Sequence, residues 1–548
     1  MQVSENGRLA TVRTGQHKNT FAQKILAFFY FAQKIYVQYK KSGTIRPIEH
    51  SEIQMRIGYA WLAECAGVKA PMPKYYAEVR SVTRVEQIDS CLAVPTSVAP
   101  TTNCPLAHAL FALKYEGINL TILAQALPLI DESQLRQAYA DSPTSQYLRK
   151  VCYLWEHFTQ CQIQREVKSP RTNYVELFDS GVYVTSRGIR DARWRVVFNG
   201  LGTLEYCVSV RKTAILSDLL DKNLLQRAHE FTEQLPKDIL NRTLAWAYLD
   251  ETRSSYAIEQ ELPSADKTSR FVNLLKQAHI PRQLDEDYLV SLQNAVISNV
   301  YDQAASFRTE QNYLCNGLRG ALGVSYVPPT PELCYHLMHQ LMSIANDPPA
   351  GIDPLVLATL ISFGFVFLHP FMDGNGRLSR FLFHQVLCQQ GALRHGLLLP
   401  VSIVLRQQEA VYKATLEAWS AQTRDYWQVT YLDQEQFVFE FQGHASLYKY
   451  WDATECVIFM ASAVEQATEQ HLKQETQYLQ HYDELYRRMD QAFDVAQSEL
   501  SKLVMFCLDQ QGKLSANRRK QYQYRVPEAL FDALEQAYRD VFSTPSES

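Results

Sequence analysis

The chain has 548 residues, of which 46% are hydrophobic and 20% are charged, with 21 glycines and 22 prolines. This composition excludes collagen-like, low-complexity and wholly disordered proteins, and the length allows about three or four domains. The net charge of −4 excludes an overall attraction to DNA or anionic membranes, although a local basic patch stays open. Scattered cysteines without a CxxC pair, no signal-peptide core and no apolar run of about 18 residues lead us to expect a cytoplasmic protein without a membrane segment.

Helical and strand-like patterns alternate in the N-terminal part, 1–230, which we treat as an α+β region of unknown role. Apolar residues at helical spacing between lysines predict an amphipathic helix over 20–40. A run rich in Pro, Ser and Thr at 93–105 predicts a loop. Short runs rich in Val, Tyr and Phe between 173 and 212 predict a small antiparallel β-sheet of three or four strands.

The chain after Lys212 is predicted to be mainly helical. Glycines and a strand-like run at 324–327, followed by two prolines, predict a β-hairpin between helices. The segment 513–525 contains five basic residues and no acidic ones. A helix entered at Ser515 and another from Pro527 could form a DNA-binding helix-turn-helix, but we favour a solvated helical hairpin packed on the core.

The segment 361–387 holds the residues best suited to chemistry. An apolar helix is expected to end before Pro370, and a Gly-rich loop then leads into a second apolar helix. The backbone N–H groups of Gly374, Asn375 and Gly376, with the unpaired amides of the second helix, would bind anionic oxygens. The sequence therefore predicts a phosphate site at this junction.

Charged side chains flank the predicted phosphate site. Arg377 and Arg380 are three residues apart on a helix, so both guanidinium groups can approach one anion. Asp373 offers a hard oxygen for Mg²⁺, and His369 a titratable base. Any one of these residues could have a purely structural role, as a turn, a solvated side chain or a helix cap. Their combination at one junction favours an active site.

The sequence HPFMDGNGRLSR at 369–380 resembles the HPFxDGNGRxxR signature of Fic-domain proteins at every specified position. The resemblance extends to segments that look like the family's flap and following core helices, at 307–314, 323–329 and 399–419. It implies a mainly α fold: a helical Fic core with a β-hairpin flap, beside the small N-terminal sheet. We expect the Fic domain over 231–450 and a helical C-terminal region over 451–548.

The resemblance implies transfer of AMP from ATP to a Tyr, Thr or Ser hydroxyl of a target protein. The implied roles are the catalytic base for His369, a Mg²⁺ ligand for Asp373, oxygen-binding amides for Gly374 and Gly376, an α-phosphate contact for Asn375, and β- and γ-phosphate contacts for Arg377 and Arg380. Some family members transfer other phosphate-bearing groups or remove AMP, and the motif does not separate these. Self-modification and a homodimer also stay open.

The flap resemblance concerns the strand-like residues Val324, Ser325, Tyr326 and Val327. An extended segment of the target could pair with them through main-chain hydrogen bonds and align its hydroxyl with His369. Such pairing tolerates many sequences, so it does not name the target.

A second family element lies upstream of the motif, within 244–262. Many Fic proteins carry an inhibitory helix of pattern [S/T]xxxE[G/N], whose glutamate pairs with the second motif arginine. Ser255 and Glu259 match this spacing, which implies that Glu259 pairs with Arg380 and repels the γ-phosphate of ATP. Gln260 replaces the Gly or Asn that tolerates a left-handed terminal position, so a differently shaped helix end is expected. An ordinary surface glutamate is the alternative.

Overall fold

The computed structural model describes residues 55–65, 67–101, 103–165, 171–297, 302–432 and 436–543. The predicted helix at 20–40 lies outside these residues. The elements below belong to one compact unit, Arg56–Ser548. It is mainly helical with small sheets, as the sequence predicts.

In the described residues before 160 the elements are a four-stranded sheet, five α-helices and a short 3-10 helix, Leu127–Leu129. The sheet has the order β1-β2-β4-β3, with β1 Arg56–Ile57, β2 Tyr76–Val79, β3 Glu86–Ile88 and β4 Cys91–Val94. The helices are α1 Gly58–Cys65, α2 Pro105–Tyr115, α3 Leu120–Ala126, α4 Glu132–Asp141 and α5 Gln146–Thr159. The apolar run of β4 extends into the segment predicted as a loop, so that loop begins after Val94.

The region 173–212 forms parts of two mixed sheets, which corrects the expectation of one antiparallel sheet. The first sheet contains β5 Val175–Glu176, β6 Ile189–Asp191 and β7 Val196–Phe198, and β5 is parallel to β7. The second contains β8 Leu201–Gly202, β9 Cys207–Ser209 and β14 Tyr450–Asp452, and β14 is parallel to β9. The alternation of apolar and polar residues within 173–212 could not predict that β14, more than 200 residues later, pairs with β9.

Helices predominate between residues 214 and 424. Their bounds are α6 Ala214–Asp221, α7 Leu224–Glu233, α8 Lys237–Ile258, α9 Ala265–Gln277, α10 Glu286–Val296, α11 Pro331–Asn346, α12 Pro354–Leu368, α13 Asn375–Gln389, α14 Val401–Gln407 and α15 Glu409–Arg424. The predicted hairpin lies between α10 and α11, where β10 Leu314–Cys315 pairs antiparallel with β11 Val324–Tyr326.

The C-terminal elements begin with an antiparallel hairpin, β12 Trp427–Tyr431 and β13 Phe437–Phe441. The helices are α16 Ser446–Lys449, α17 Thr454–Gln466, a π-helical segment Ala467–Leu472, α18 Lys473–Ala492, α19 Gln497–Asp509, α20 Ala516–Tyr522 and α21 Glu528–Ser543. None of the helices in the described part of the chain is long and apolar enough to cross a bilayer.

The basic segment at 513–525 packs on the C-terminal helices. Ser515 caps α20, and Arg519 forms ion pairs with Asp532 and Glu535 of α21. These internal pairs agree with the helical hairpin that the sequence favours over a DNA-binding element.

One large apolar core fills the middle of the chain and includes residues from Leu201 to Leu472. α12 lies within it, because this helix is apolar on every side and nearly all of its side chains are buried. Separate cores lie among the N-terminal elements and among α18 to α21. The domain boundaries near 230 and 450 stay predictions. The tight packing of α12 against α13 fixes the junction between them.

Candidate active site

The junction between α12 and α13 positions the motif residues. α12 ends at Leu368 because Pro370 has no N–H to continue it, and His369 takes a left-handed φ of 53°. Gly374, with a φ of 89°, precedes α13. The second helix therefore begins at Asn375, so Asn375 and Gly376 belong to its first turn, and their N–H groups are among those without a helical partner.

Asn375 holds the loop together. Its side-chain Oδ1 accepts a hydrogen bond from the Phe371 N–H at 3.0 Å, and its Nδ2 donates to the Phe371 carbonyl at 2.7 Å. The side chain is 1% exposed. Because the side-chain amide is already hydrogen-bonded, the α-phosphate contact predicted for Asn375 is left to its backbone N–H. Phe371 packs under the loop against Phe307 and Phe365.

His369 presents one nitrogen as an acceptor. Nδ1 lies 3.0 Å from the carbonyl oxygen of Val366, which can only accept, so Nδ1 carries the proton and Nε2 is left as the acceptor nitrogen. Burial lowers the His369 pKa to about 4, and the nearby Arg308 guanidinium acts in the same direction. The Val366 carbonyl and the carboxylates of Glu259 and Asp373 oppose this shift. The ring is neutral at pH 7.

Arg380 is buried against the predicted inhibitory helix α8. Its Nη2 donates to Glu259 Oε1 at 2.8 Å, and its Nε donates to Ser255 Oγ at 2.7 Å. Burial opposes ionisation of Glu259, but Arg380, together with Arg377 and His369, holds the Glu259 pKa below its ordinary value. The structure therefore brings together the three residues that the spacing singled out, and their inhibitory role stays a prediction.

The Glu259 carboxylate also lies at the N-terminal turn of α13. A Cβ atom added at Gly376 would collide with Glu259 Oε1. The glycine thus permits a carboxylate to approach the positive end of a helix, where an anion is favoured. This carboxylate occupies the place predicted for phosphate oxygens.

The end of α8 is a Schellman turn. Gln260 adopts a left-handed φ of 57°, its N–H donates to the Ala257 carbonyl at 3.0 Å, and the Glu261 N–H donates to the Tyr256 carbonyl at 3.1 Å. The expectation of a differently shaped helix end was therefore wrong. Gln260 takes the conformation that Gly or Asn takes with less strain.

Glu261, which the sequence analysis did not single out, reaches the other motif arginine. Its Oε2 lies 2.9 Å from Arg377 Nη1, while its Oε1 pairs with Lys267. Arg377 also donates to the Val296 carbonyl at 3.3 Å. Both arginines predicted to bind phosphates are thus engaged by carboxylates from one turn. An acidic residue two positions after the glutamate of the inhibitory pattern is the signal that could have found it.

Asp373 is the residue predicted to bind Mg²⁺, and its side chain is 59% exposed. Oδ1 accepts a hydrogen bond from the Gly374 N–H at 2.6 Å, and Oδ2 lies 3.5 Å from Arg377 Nη2. In the described residues no group of three or more His, Cys, Asp or Glu could hold a metal. A single exposed carboxylate fits Mg²⁺ that takes its other ligands from water and substrate phosphates.

The flap strand packs on the C-terminal end of α12, close to His369 in the sequence. Val324, Tyr326 and Val327 are buried, and the Tyr326 hydroxyl donates to the Phe367 carbonyl at 2.5 Å. Ser325 Oγ donates to the Leu314 carbonyl at 3.1 Å across the hairpin. Three of the four predicted docking residues therefore direct side chains into the protein. Docking of a target through their main chain stays a prediction.

The residues 283–387 match the family model described as the Fic/DOC family. This range includes α12, the whole motif and all of α13 except its last two residues. These residues form a Fic domain. The turn at the end of α8 that carries Glu259 and Glu261 precedes the matched range.

The Fic domain is similar to parts of curated proteins. The chain is 27% identical over 135 residues to protein adenylyltransferase fic-1 of Caenorhabditis elegans, covering 24% of each chain. It is 33% identical over 88 residues to protein adenylyltransferase Fic of Drosophila virilis, covering 16% of this chain and 17% of that one. The chain thus matches a quarter or less of the length of these relatives.

A similar solved structure is a Fic family protein from Desulfovibrio desulfuricans G20. It has 19% sequence identity and a TM-score of 0.37, and the match covers 60% of this chain and 90% of that one.

Proposed function

We propose that this chain is a protein adenylyltransferase, which transfers AMP from ATP to a Tyr, Thr or Ser hydroxyl of a target protein. The observation that carries the proposal is the junction itself: His369, with Nδ1 held by the Val366 carbonyl and Nε2 left as the acceptor, ends α12, and the first turns of α13 that follow carry two buried arginines. The names of the curated relatives support the same reaction.

The first turn of α13 would bind the triphosphate. The N–H groups of Asn375 and Gly376 would donate to phosphate oxygens, and that of Gly374 would do so once it releases Asp373 Oδ1. Arg377 and Arg380 would bind the β- and γ-phosphates. A donor directed at charge that develops in the transition state contributes about 3 kcal/mol. Asp373 would hold Mg²⁺, which would offset negative charge on the phosphates.

His369 would act as the general base. Its Nε2 would take the proton of the target hydroxyl as that oxygen attacks the α-phosphorus. The new O–P bond forms as the bond from the α-phosphorus to the bridging oxygen breaks, and pyrophosphate leaves. A bound triphosphate would raise the His369 pKa from its value of about 4, because nearby negative charge favours the imidazolium. The proton would then pass to water.

The turn at the end of α8 would restrain this reaction. Glu259 and Glu261 occupy the guanidinium groups that the β- and γ-phosphates would need. ATP would have to displace both carboxylates, and a carboxylate left near the γ-phosphate would repel it. We propose that the arrangement described above is the inhibited state.

The acceptor would be an extended segment of a target protein held at the flap. We also propose that the protein is cytoplasmic, and that it can modify itself and form a homodimer. Transfer of another phosphate-bearing group and removal of AMP are the alternatives within the same fold.

The test uses the purified Glu259→Gly protein, ATP labelled at the α-phosphate and Mg²⁺. Labelled protein and released pyrophosphate are expected, whereas ATP labelled at the γ-phosphate should leave the protein unlabelled. Adding His369→Ala should remove the label without unfolding the protein. Undiminished labelling in that double variant would refute the role of His369. Intact mass after incubation with each nucleotide identifies the donor, and an AMP-modified protein as substrate tests AMP removal.

A further inference from the structure

Arg308 joins His369 to the flap. Its Nε donates to the His369 carbonyl at 2.9 Å, its Nη1 donates to the Glu310 carbonyl at 3.0 Å, and its Nη2 donates to the Pro329 carbonyl. Its backbone N–H donates to the Pro370 carbonyl at 2.7 Å. Arg308 thus connects the end of α12 with Glu310, before the β10–β11 hairpin, and with Pro329, after it.

Asn312, four residues after Arg308, also donates a hydrogen bond to the His369 carbonyl. Its Nδ2 donates to the His369 carbonyl at 3.3 Å and to the Phe371 carbonyl at 2.9 Å. Both side chains are buried, with Arg308 7% exposed and Asn312 6% exposed. We call Arg308 and Asn312 the carbonyl clamp.

The backbone of His369 needs this support. A non-glycine residue in the left-handed conformation is strained and persists only where its surroundings fix it. The carbonyl groups at the C-terminal end of a helix also have no helical partners and carry partial negative charge. The Arg308 guanidinium supplies both hydrogen bonds and positive charge at the end of α12. Among the described residues no carboxylate forms a salt bridge with it; it lies beside the Cys334 side chain and donates to backbone carbonyls.

We infer that the carbonyl clamp positions the general base: it fixes the left-handed backbone of His369 and so directs Nε2 toward the hydroxyl held at the flap. The inference rests on the proposed function, since it concerns the same reaction. Arg308 and Asn312 touch neither substrate nor reacting atoms, and they act through His369. Arg308 has a second effect, because its positive charge adds to burial in disfavouring the imidazolium, against Glu259 and Asp373.

The experiment compares variants in the Glu259→Gly background. Arg308→Lys keeps the charge and loses the forked hydrogen bonds, and Arg308→Gln loses the charge. We expect kcat to fall by about 10- to 100-fold in both, because a misdirected base costs rate, with the KM for ATP changed by less than about threefold. In Arg308→Gln the acid limb of the pH–rate profile should also move upward.

The matched control is Arg149→Lys. Arg149 is likewise buried and donates to three backbone carbonyls, of Asn173, Trp194 and Arg195, but it lies outside the Fic domain. A general loss of stability would affect this variant as well. Its kcat and pH profile should match those of the parent once the folded fraction is equal.

Two outcomes separate the inference from the proposed function. If the Glu259→Gly parent transfers no group, the proposed function fails, and NMR titration of the His369 ring still tests the clamp: the ring should titrate at higher pH in Arg308→Gln. If the parent transfers AMP and folded Arg308→Lys and Arg308→Gln keep its kcat and pH profile, the inference is overturned. Should neither Arg308 variant fold, Asn312→Ala decides the question, and unchanged kcat in it refutes the clamp.

Discussion

The carboxylate of Glu259 accepts a hydrogen bond from Arg380 Nη2 at 2.8 Å and at the same time touches Gly376 in the first turn of α13. One side chain therefore engages both a guanidinium group and the positive end of a helix. These are the two features proposed to bind the terminal phosphates of ATP. The contact predicts competition between an internal carboxylate and the nucleotide.

Glu259→Gly should strengthen ATP binding. A hydrogen bond to a charged group contributes about 1.5–3 kcal/mol, and ATP would no longer have to displace it, which corresponds to about 10- to 100-fold in affinity. Calorimetric titration of each protein with ATP measures the change. Glu484→Gln is the control, because it removes a carboxylate that is paired with Arg487 and Arg488 within helix α18 and lies outside the Fic domain. Equal affinities in Glu259→Gly and the parent would leave Glu259 as an ordinary surface residue.

Gln260→Gly should have the opposite effect and tighten the inhibition. A side chain in the left-handed region costs about 1–2 kcal/mol, and glycine removes this cost. A gain of about 1 kcal/mol in the inhibited turn corresponds to about a fivefold lower basal transfer rate. The rate is measured as release of pyrophosphate.

The control for Gln260→Gly is Gln160→Gly at the end of α5. Gln160 is also left-handed, with a φ of 56°, but it lies far from the motif in the sequence and outside the Fic domain. It should gain similar stability without a change in transfer. Gln260→Gly combined with Glu259→Gly should also transfer at nearly the rate of Glu259→Gly. A basal rate that rises in Gln260→Gly would contradict the assignment of this turn as the restraint.

Glu261→Gln should add a smaller effect in the Glu259→Gly background. Glu261 is partly exposed and shared between Arg377 and Lys267, and pairs of this kind contribute about 0–1 kcal/mol. The KM for ATP should fall by up to about fivefold. Asp266→Asn removes a nearby exposed pair with Arg270 and should leave the KM unchanged. If both substitutions shift the KM equally, the effect is general electrostatics and Glu261 is no second restraint.

Several parts of this site could be predicted from the sequence. Pro370 and the glycines place the end of one helix and the start of the next, since their backbone constraints act locally. The spacing of Ser255 and Glu259 on one helix face predicts that both can meet the same partner. The hairpin at β10 and β11 follows from glycines and a β-prone run for the same local reason.

Other parts depend on contacts between distant segments. The left-handed Gln260 is held by its neighbours against its own preference, and the reach of Glu261 to Arg377 depends on where α8 lies against α13. Arg308 is one of many arginines until the fold brings it to the His369 carbonyl. The mixed sheets form for the same reason, because β14 comes from far along the chain to join β9.

The kcat/KM for transfer should stay constant from about pH 8 to about pH 6 in the Glu259→Gly variant. The acid limb of kcat/KM reports the free enzyme's base. Burial lowers the His369 pKa to about 4, so the imidazole stays neutral and able to accept a proton as the pH falls past its ordinary value of 6.5. Activity is then lost only as the pH approaches the lowered pKa.

The Glu259→Gly background removes the titration of Glu259 from this profile. The Glu259 carboxylate raises the His369 pKa, so removing it moves the acid limb of kcat/KM to lower pH. Circular dichroism at each pH confirms that the protein stays folded. An acid limb near pH 6.5 would show that His369 titrates as an ordinary exposed histidine.

Glu251→Ala should destabilise the protein more than most single substitutions. Glu251 is fully buried, accepts hydrogen bonds from Ser402 Oγ at 2.6 Å and Ser402 N at 2.8 Å, and lies 3.0 Å from His384 Nε2. It joins α8 to α13 and α14, one helical turn before Ser255. Removing the carboxylate leaves buried donors without an acceptor, which costs about 3–5 kcal/mol. Urea unfolding followed by circular dichroism measures the loss.

Two comparisons give this stability prediction its control. Ser402→Ala removes one partner but keeps the carboxylate and the pair with His384, so it should cost about 1 kcal/mol. Glu251→Gln keeps an acceptor oxygen and the side-chain volume and should fall between the two. Because Glu251 anchors α8 close to the turn that we propose restrains transfer, Glu251→Gln should also raise basal transfer, whereas Ser402→Ala should raise it less. Equal unfolding midpoints for Glu251→Ala and Ser402→Ala would mean that the carboxylate is not the centre of this buried network.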